Sequence, residues 1–282
     1  MSDRIEVLKT NKLFIDGAFV RSESGRSYRI NKANSKTFFA NMAAASRKDV
    51  RDAALAAKNG LIKWQSATAF NKSQILYRIA EIMEGRREQF VEEIIALEGV
   101  SRRSADQQVS QAIDLWIWYA GWTDKISAVA GGENPINGPF YNFTSPEPIG
   151  VVGAFAPDAP SLLGLVETLA PIITSGNSAL LIASQRYPLS AVTMSEVFAT
   201  SDVPAGVINI LTGNQKELAP WLASHMEISG LDITALDKKT KIEIRKVATS
   251  NLKRIGNFDL AISPERILAF MDYKTIWHPR GN

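Results

Sequence analysis

The sequence predicts an α/β protein built on a doubly wound parallel sheet, and three features carry that prediction. From residue 149 onward, short apolar runs alternate with helical patterns. The apolar runs are continuous, as in strands buried on both faces. Glycine, proline and asparagine turns separate them, the mark of successive βαβ units. The right-handed crossover rule then gives a Rossmann-like sheet with helices on both faces.

The opening residues read differently. Residues 13–20 form a short strand region with a turn at Asp16 and Gly17, and Asn11, Ser24 and Gly25 punctuate the stretch as hairpin-like structure. Ser46 stands at a helix N-cap with Asp49 three residues on, a capping-box arrangement, and the helix continues to about Trp64. Asn71 or Ser73 opens a longer helix in which Ile75, Leu76, Ile79, Ile82, Met83, Phe90, Ile94 and Ile95 recur at three and four. Gly99 is its expected end. A third helix is predicted over 105–126. Ile113, Trp116, Ile117 and Ala120 mark its packed face, and Trp118, Tyr119 and Trp122 make it aromatic. Residues 131–138 have turn composition. Residues 140–145 alternate as a strand, with Tyr141 and Phe143 on one face and Asn142 and Thr144 on the other.

The βαβ series follows. Strands are predicted at 149–155, 179–182, 207–211 and 228–234, and helices at 162–174, 188–199, 216–223 and 238–250. Residues 270–277 return to a strand pattern, with Met271, Tyr273, Thr275 and Trp277 on one face.

Composition narrows the chemistry. A chain of 282 residues with 45% hydrophobic content can bury a sizeable core in one large or two ordinary domains. The net charge of +3 is spread among acids, with Lys238, Lys239 and Lys241 the densest basic group, so no nucleic-acid stripe is expected. Cysteine is absent, which excludes disulfides, thiolate nucleophiles and cysteine metal sites within the chain. Met1-Ser2-Asp3-Arg4 does not begin an apolar leader, and no run approaches the ~18 apolar residues of a membrane span. The expectation is a soluble cytoplasmic protein.

Generic catalytic and phosphate-binding motifs are missing: there is no G-x-G-x-x-G, P-loop or G-x-S-x-G. His225 and His278 lack partners at zinc spacing, so His225 reads as a capping or packing residue and His278 as a surface one. Glu92 and Glu93 are adjacent on a helix and do not face each other, which makes them a solvated face.

Ordered short strings then point to a family. Leu13-Phe-Ile-Asp-Gly, Ala120-Gly-Trp-Thr-Asp-Lys-Ile126 and Glu147-Pro-Ile-Gly-Val-Val-Gly153 come first. Leu169-Ala-Pro through Ser175-Gly-Asn-Ser178, the run from Val203 to Gly213, and Ser250-Asn-Leu-Lys-Arg254 continue the series. Together, at this spacing, they resemble the coenzyme-binding half of aldehyde dehydrogenases. Residues 270–279 resemble that family's C-terminal strand. The resemblance implies a coenzyme-binding domain over 1–254, with an interface strand near 140–147. A linker over 255–269 stands in place of the catalytic lobe, and a C-terminal oligomerisation strand spans 270–282. The fold it implies is α/β, a Rossmann-like parallel sheet with flanking helices plus a small β-flap.

Position by position, the resemblance implies lost chemistry. The family's nucleophile is a thiolate, and this chain has none. The oxyanion asparagine position holds Asp158, which accepts but does not donate. The general-base glutamate aligns near Phe258. The ribose-binding turn reads Ile182-Ala-Ser-Gln185, where Gln185 can still hydrogen-bond a hydroxyl. The pyrophosphate turn reads Thr234-Ala-Leu-Asp237, and Asp237 reads as an N-cap. Ser184, Gln185 and Gly213 remain as a vestigial cofactor lining. No catalytic or metal residue is predicted. No resident cofactor is expected, NAD(P) being the one candidate on an eroded site. The implied role is a non-catalytic subunit that forms a homo-oligomer, or a hetero-oligomer with a full-length aldehyde dehydrogenase, through strands 140–147 and 270–278. The alternative is a nucleotide or NAD(P) sensor in the remnant cleft. Neither nucleic acid nor membrane is an expected partner.

Overall fold

The computed structural model describes residues 8–259 and 262–280, so the expectations for residues 1–7, 260–261 and 281–282 lie outside the described residues. The chain opens with β1 (Thr10–Asn11), β2 (Leu13–Ile15) and β3 (Ala18–Val20). Asp16 and Gly17 both take positive φ, 54° and 72°, and close β2 onto β3 as the sequence predicts. β4 (Ser27–Asn31) and β5 (Phe38–Ala43) form a second hairpin. Hydrophobic alternation does not reveal it, because β4 carries Arg29 and Asn31 and β5 is apolar on both faces.

α1 (Arg47–Ser66) starts at Ser46, whose backbone N–H donates to the Asp49 carboxylate at 2.7 Å. That carboxylate also accepts from Ser22 at 2.8 Å and from the Glu23 amide at 2.9 Å, tying the opening segment to the helix. The single helix expected from Asn71 or Ser73 to Gly99 is two: α2 (Ala69–Gly85) and α3 (Arg87–Glu98). It begins earlier because Thr68 caps the Asn71 amide at 3.1 Å. It breaks because Arg86 leaves helical geometry, with its guanidinium on Glu196 at 2.6 Å. Apolar spacing runs through this one-residue break and cannot show it. Gly99, with φ 71°, ends α3 as predicted.

α4 (Arg102–Ala120) stops short of the expected 126. The Thr123 hydroxyl takes the Ala120 carbonyl at 3.1 Å, and a turn leads into α5 (Ile126–Ala130). Ile113, Trp116 and Ala120 are buried as expected, whereas Ile117 is exposed.

The remaining elements are β6 (Gly132–Glu133), β7 (Phe140–Pro148), β8 (Val151–Phe155), α6 (Ser161–Thr174), β9 (Ser178–Ile182) and α7 (Leu189–Thr200). After these come β10 (Ile208–Leu211), α8 (Gln215–Ser224), β11 (Gly230–Asp232), α9 (Lys238–Ala248), β12 (Arg254–Gly256), α10 (Glu265–Leu268) and β13 (Met271–Pro279). The main sheet has seven strands in the order β12-β11-β8-β9-β10-β2-β3. Strands β12 through β10 are parallel and the β2–β3 hairpin closes one end antiparallel. Every residue of β8, β9 and β10 is buried, which explains their unbroken apolar runs.

Helices cover both faces. One core joins Ala53 and Ala57 of α1 with Leu222 of α8, Ile244 of α9 and Leu180 of β9. The other joins Leu76 of α2, Trp116 of α4, Leu165 and Leu169 of α6 and Phe198 of α7. Strand order runs outward from β8 to β10, then returns to β11 on the other side of β8. In such sheets the ligand crevice lies at the carboxyl ends of the strands flanking this reversal.

The bridge after Arg254 is more than a tether. Ile255 and Gly256 pair with Leu231 and Asp232 as the edge strand, and α10 buries Arg266 and Ile267. Those residues pack because Phe270 and α6 offer them an apolar floor.

β13, β7 and β6 form a separate three-stranded sheet. β7 and β13 pair antiparallel from Met271 opposite Pro148 to Pro279 opposite Phe140. The predicted alternation is present, but the apolar side faces outward: Tyr141 and Phe143 are exposed while Asn142 is buried.

Candidate functional site

The crevice at the carboxyl edge is where a ligand of this fold would sit, and the chain's own side chains occupy its polar positions. Gln215, on the first turn of α8, donates through Nε2 to the Ala156 carbonyl at 2.7 Å and the Ala183 carbonyl at 3.2 Å. It thereby bridges the ends of β8 and β9.

Helix N-termini are the usual anion sites of such sheets. Here those of α6 and α9 are capped from within. At α6, Glu98 accepts the Ser161 amide at 2.9 Å and Gln108 accepts the Leu162 amide at 2.9 Å. At α9, Asp237 accepts the Lys239 amide at 3.0 Å and the Thr240 amide at 3.1 Å, the N-cap expected from sequence. Lys216 adds an ion pair at 3.1 Å. The Thr240 amide, with Lys216 beside it, holds the Asp237 carboxyl well below the ordinary range. A carboxylate thus stands where a phosphate would need to approach.

The strand-order reversal holds a buried ion pair. Arg266 of α10 meets Asp232 of β11 at 2.9 Å, with both side chains almost wholly buried. Asp232 also accepts the Thr234 amide at 2.9 Å. The guanidinium lies 5.1 Å from the Phe258 ring centre, so the residue at the resembled family's glutamate position packs on a cation. Its Nε and Nη1 find no partner among the described residues. Burial raises the nearby Glu167 carboxyl, with Arg266 opposing that shift. Burial also pushes Tyr119 up to about 12.

The three residues predicted as a cofactor lining do not form one open site. Ser184 is buried; its hydroxyl donates to Asp158 at 2.6 Å and accepts the Tyr187 amide at 2.9 Å. Gln185 is exposed on the same turn. Gly213 has φ 149°, and a side chain there would come within 3.2 Å of the Ala45 nitrogen and 3.3 Å of Leu218, so its missing side chain serves packing. Asp158, which the resemblance places at the oxyanion position, is engaged by Ser184.

His225 caps α8 and accepts the Glu227 amide at 3.3 Å, a capping role that matches expectation. Glu93 departs from expectation. It is half-buried against α7 and accepts the Thr193 hydroxyl at 2.8 Å and Gln89 at 3.0 Å. Burial pushes its carboxyl up to about 7. Among the described residues there is no cluster of three or more metal-ligating side chains, and no helix is long and apolar enough to cross a membrane.

Sequence reasoning missed Gln215, Gln108, Glu98 and the Asp232–Arg266 pair. Two polar residues far apart in sequence leave no periodic trace. Arg266 lies in the stretch that resembles nothing in the family. The Asn214-Gln215 start of α8 was the one available signal, since Asn214 is a recognisable N-cap.

Known proteins place this geometry in a family. The model of the aldehyde dehydrogenase family matches residues 19–257. The mitochondrial benzaldehyde dehydrogenase of Antirrhinum majus is 31% identical over 252 residues, covering 87% of this chain and 46% of that protein. Omega-crystallin of Enteroctopus dofleini is 27% identical over 273 residues, covering 93% and 54%. Among solved structures, a putative aldehyde dehydrogenase from Burkholderia cenocepacia superposes with a TM-score of 0.82 at 27% identity, covering 87% of this chain and 50% of that one. The chain therefore spans about half the length of the relatives it matches. It belongs to the aldehyde dehydrogenase family.

Proposed function

We propose that this chain is a non-catalytic aldehyde dehydrogenase-like subunit that assembles, with copies of itself or with an active aldehyde dehydrogenase, through the β7–β13 ribbon. The observation that carries this reading is the ribbon itself. β13 is bonded on one edge only among the described residues, and Tyr273, Ile276 and Trp277 are 54%, 37% and 59% exposed. Phe140, Tyr141 and Phe143 extend the same surface on β7. An open edge beside exposed aromatics favours strand addition from a second chain.

The polar residues support the non-catalytic half of the proposal. Oxidising an aldehyde by this family's route needs a thiol, and the chain has no cysteine. Nor do the residues present fit a nicotinamide dinucleotide. Asp237 covers the α9 amides, Gln215 spans the ends of β8 and β9, and Arg266 with Phe258 fills the reversal point. The reading therefore has no resident cofactor and no catalytic residue. A cytoplasmic location is part of the same proposal.

Co-expression with a tagged full-length aldehyde dehydrogenase, followed by native mass spectrometry, tests it. Homo-oligomers or mixed oligomers are expected. A chain that stays monomeric and ignores the dehydrogenase sinks the proposal.

A further inference from the structure

A second surface concentrates charge without chemistry to explain it. A cavity of about 580 Å³ lies between the β4–β5 hairpin and the turn from β9 to α7. That volume is in the range of small-molecule sites, roughly 300–1,000 Å³. Arg29, Lys32 and Arg186 line it. None of the three forms an ion pair among the described residues.

Each cation rests on an aromatic face instead. Arg29 lies 5.0 Å from the Phe38 ring centre, Lys32 5.9 Å from Phe39 and Arg186 5.0 Å from Tyr187. A ring face steadies a cation while leaving donor N–H groups free for an anion. The two carboxylates in the wall are already engaged. Glu98 holds the Ser161 amide at the start of α6, and Asp158 accepts from Ser184.

We infer that this cavity binds a compact polyanion, a phosphate ester or a polycarboxylate, through Arg29, Lys32 and Arg186. Gln185 and Asp158 also line the cavity, so it opens beside the carboxyl ends of β8 and β9; it is separate from the α9 N-terminus and from the β7–β13 ribbon. It can fail while the assembly proposal stands, and the reverse.

Titration calorimetry of the full chain at low ionic strength, with pyrophosphate and with citrate, tests it. Saturable binding of at least one is expected; pyrophosphate binding more tightly identifies a phosphate ester, and citrate a polycarboxylate. The exposed double variant K32A/R186A should bind at least tenfold more weakly with unchanged melting temperature. A control double, K238A/K239A, should bind like the wild type. No heat from either anion at millimolar concentration overturns the inference. So does binding that K32A/R186A leaves intact, or that the control weakens equally.

Discussion

The carboxyl edge of the parallel sheet and the β7–β13 ribbon sit in one chain and have opposite surfaces. At the sheet edge nearly every polar group has an internal partner: Gln215 on strand carbonyls, Asp237 and Glu98 on helix amides, Asp232 on Arg266. On the ribbon the arrangement is reversed. The polar ladder of Asn134, Asn142, Thr144 and Thr275 is satisfied among its own members, and the aromatic side chains are left in water. Unpaired donors attract ligands, whereas exposed apolar strands attract other chains. At the sheet edge the groups left over are the buried Nε and Nη1 of Arg266; on the ribbon they are exposed aromatic faces.

Substitutions can break or sharpen this contrast. The largest effect is expected at the sheet edge. Asp232→Ala strands a buried guanidinium and should cost ~3–5 kcal/mol in chemical denaturation. The double variant Asp232→Leu with Arg266→Met should recover most of that loss, since it removes both charges together. If the single variant is no less stable than the wild type, the edge is not sealed by this pair.

Glu93 provides a titration. Its carboxyl is raised from 4.5 to about 7, so the protonated form is the one the fold favours. The stability it contributes is fully present below its ordinary value of 4.5 and is lost as pH rises through about 7. That shift is worth at most ~3 kcal/mol, because the half-buried group keeps some contact with water. Melting temperatures recorded across this window should fall with pH in the wild type and flatten in Glu93→Gln.

On the ribbon, replacing Ile276 and Trp277 by lysine should weaken self-association or mixed association by ~2 kcal/mol, about thirtyfold. Sedimentation velocity reads this, and the melting temperature of the monomer should change little because both side chains are exposed. The smallest effect is expected for Gln215→Ala. It removes the bridge between β8 and β9 at ~1 kcal/mol, read by chemical denaturation. If that variant gains NAD binding, the edge is a working cleft held closed rather than a filled one.

Much of the scaffold was legible because it rests on local signals. The Ser46–Asp49 cap, the positive φ turn at Asp16 and Gly17, the Gly99 stop and the buried strands each follow from residue type and spacing. The missed features depend on contacts between distant residues. Arg86 breaks a helix to reach Glu196. Arg266 reaches Asp232 across 34 positions. Glu93 sits on α7 because α3 turns there after the break. Of the candidate site, the Asp237 N-cap was legible from residue type and position. What fills the space was not legible, since Gln215, Gln108 and Glu98 match no motif.

Hydrogen exchange followed by mass spectrometry compares both regions in one experiment. The account predicts that amides of 271–279 gain protection as the chain assembles, while those of 232–240 are unchanged by saturating NAD. Protection of 232–240 by NAD, with 271–279 exchanging freely at every protein concentration and with a dehydrogenase present, would contradict it.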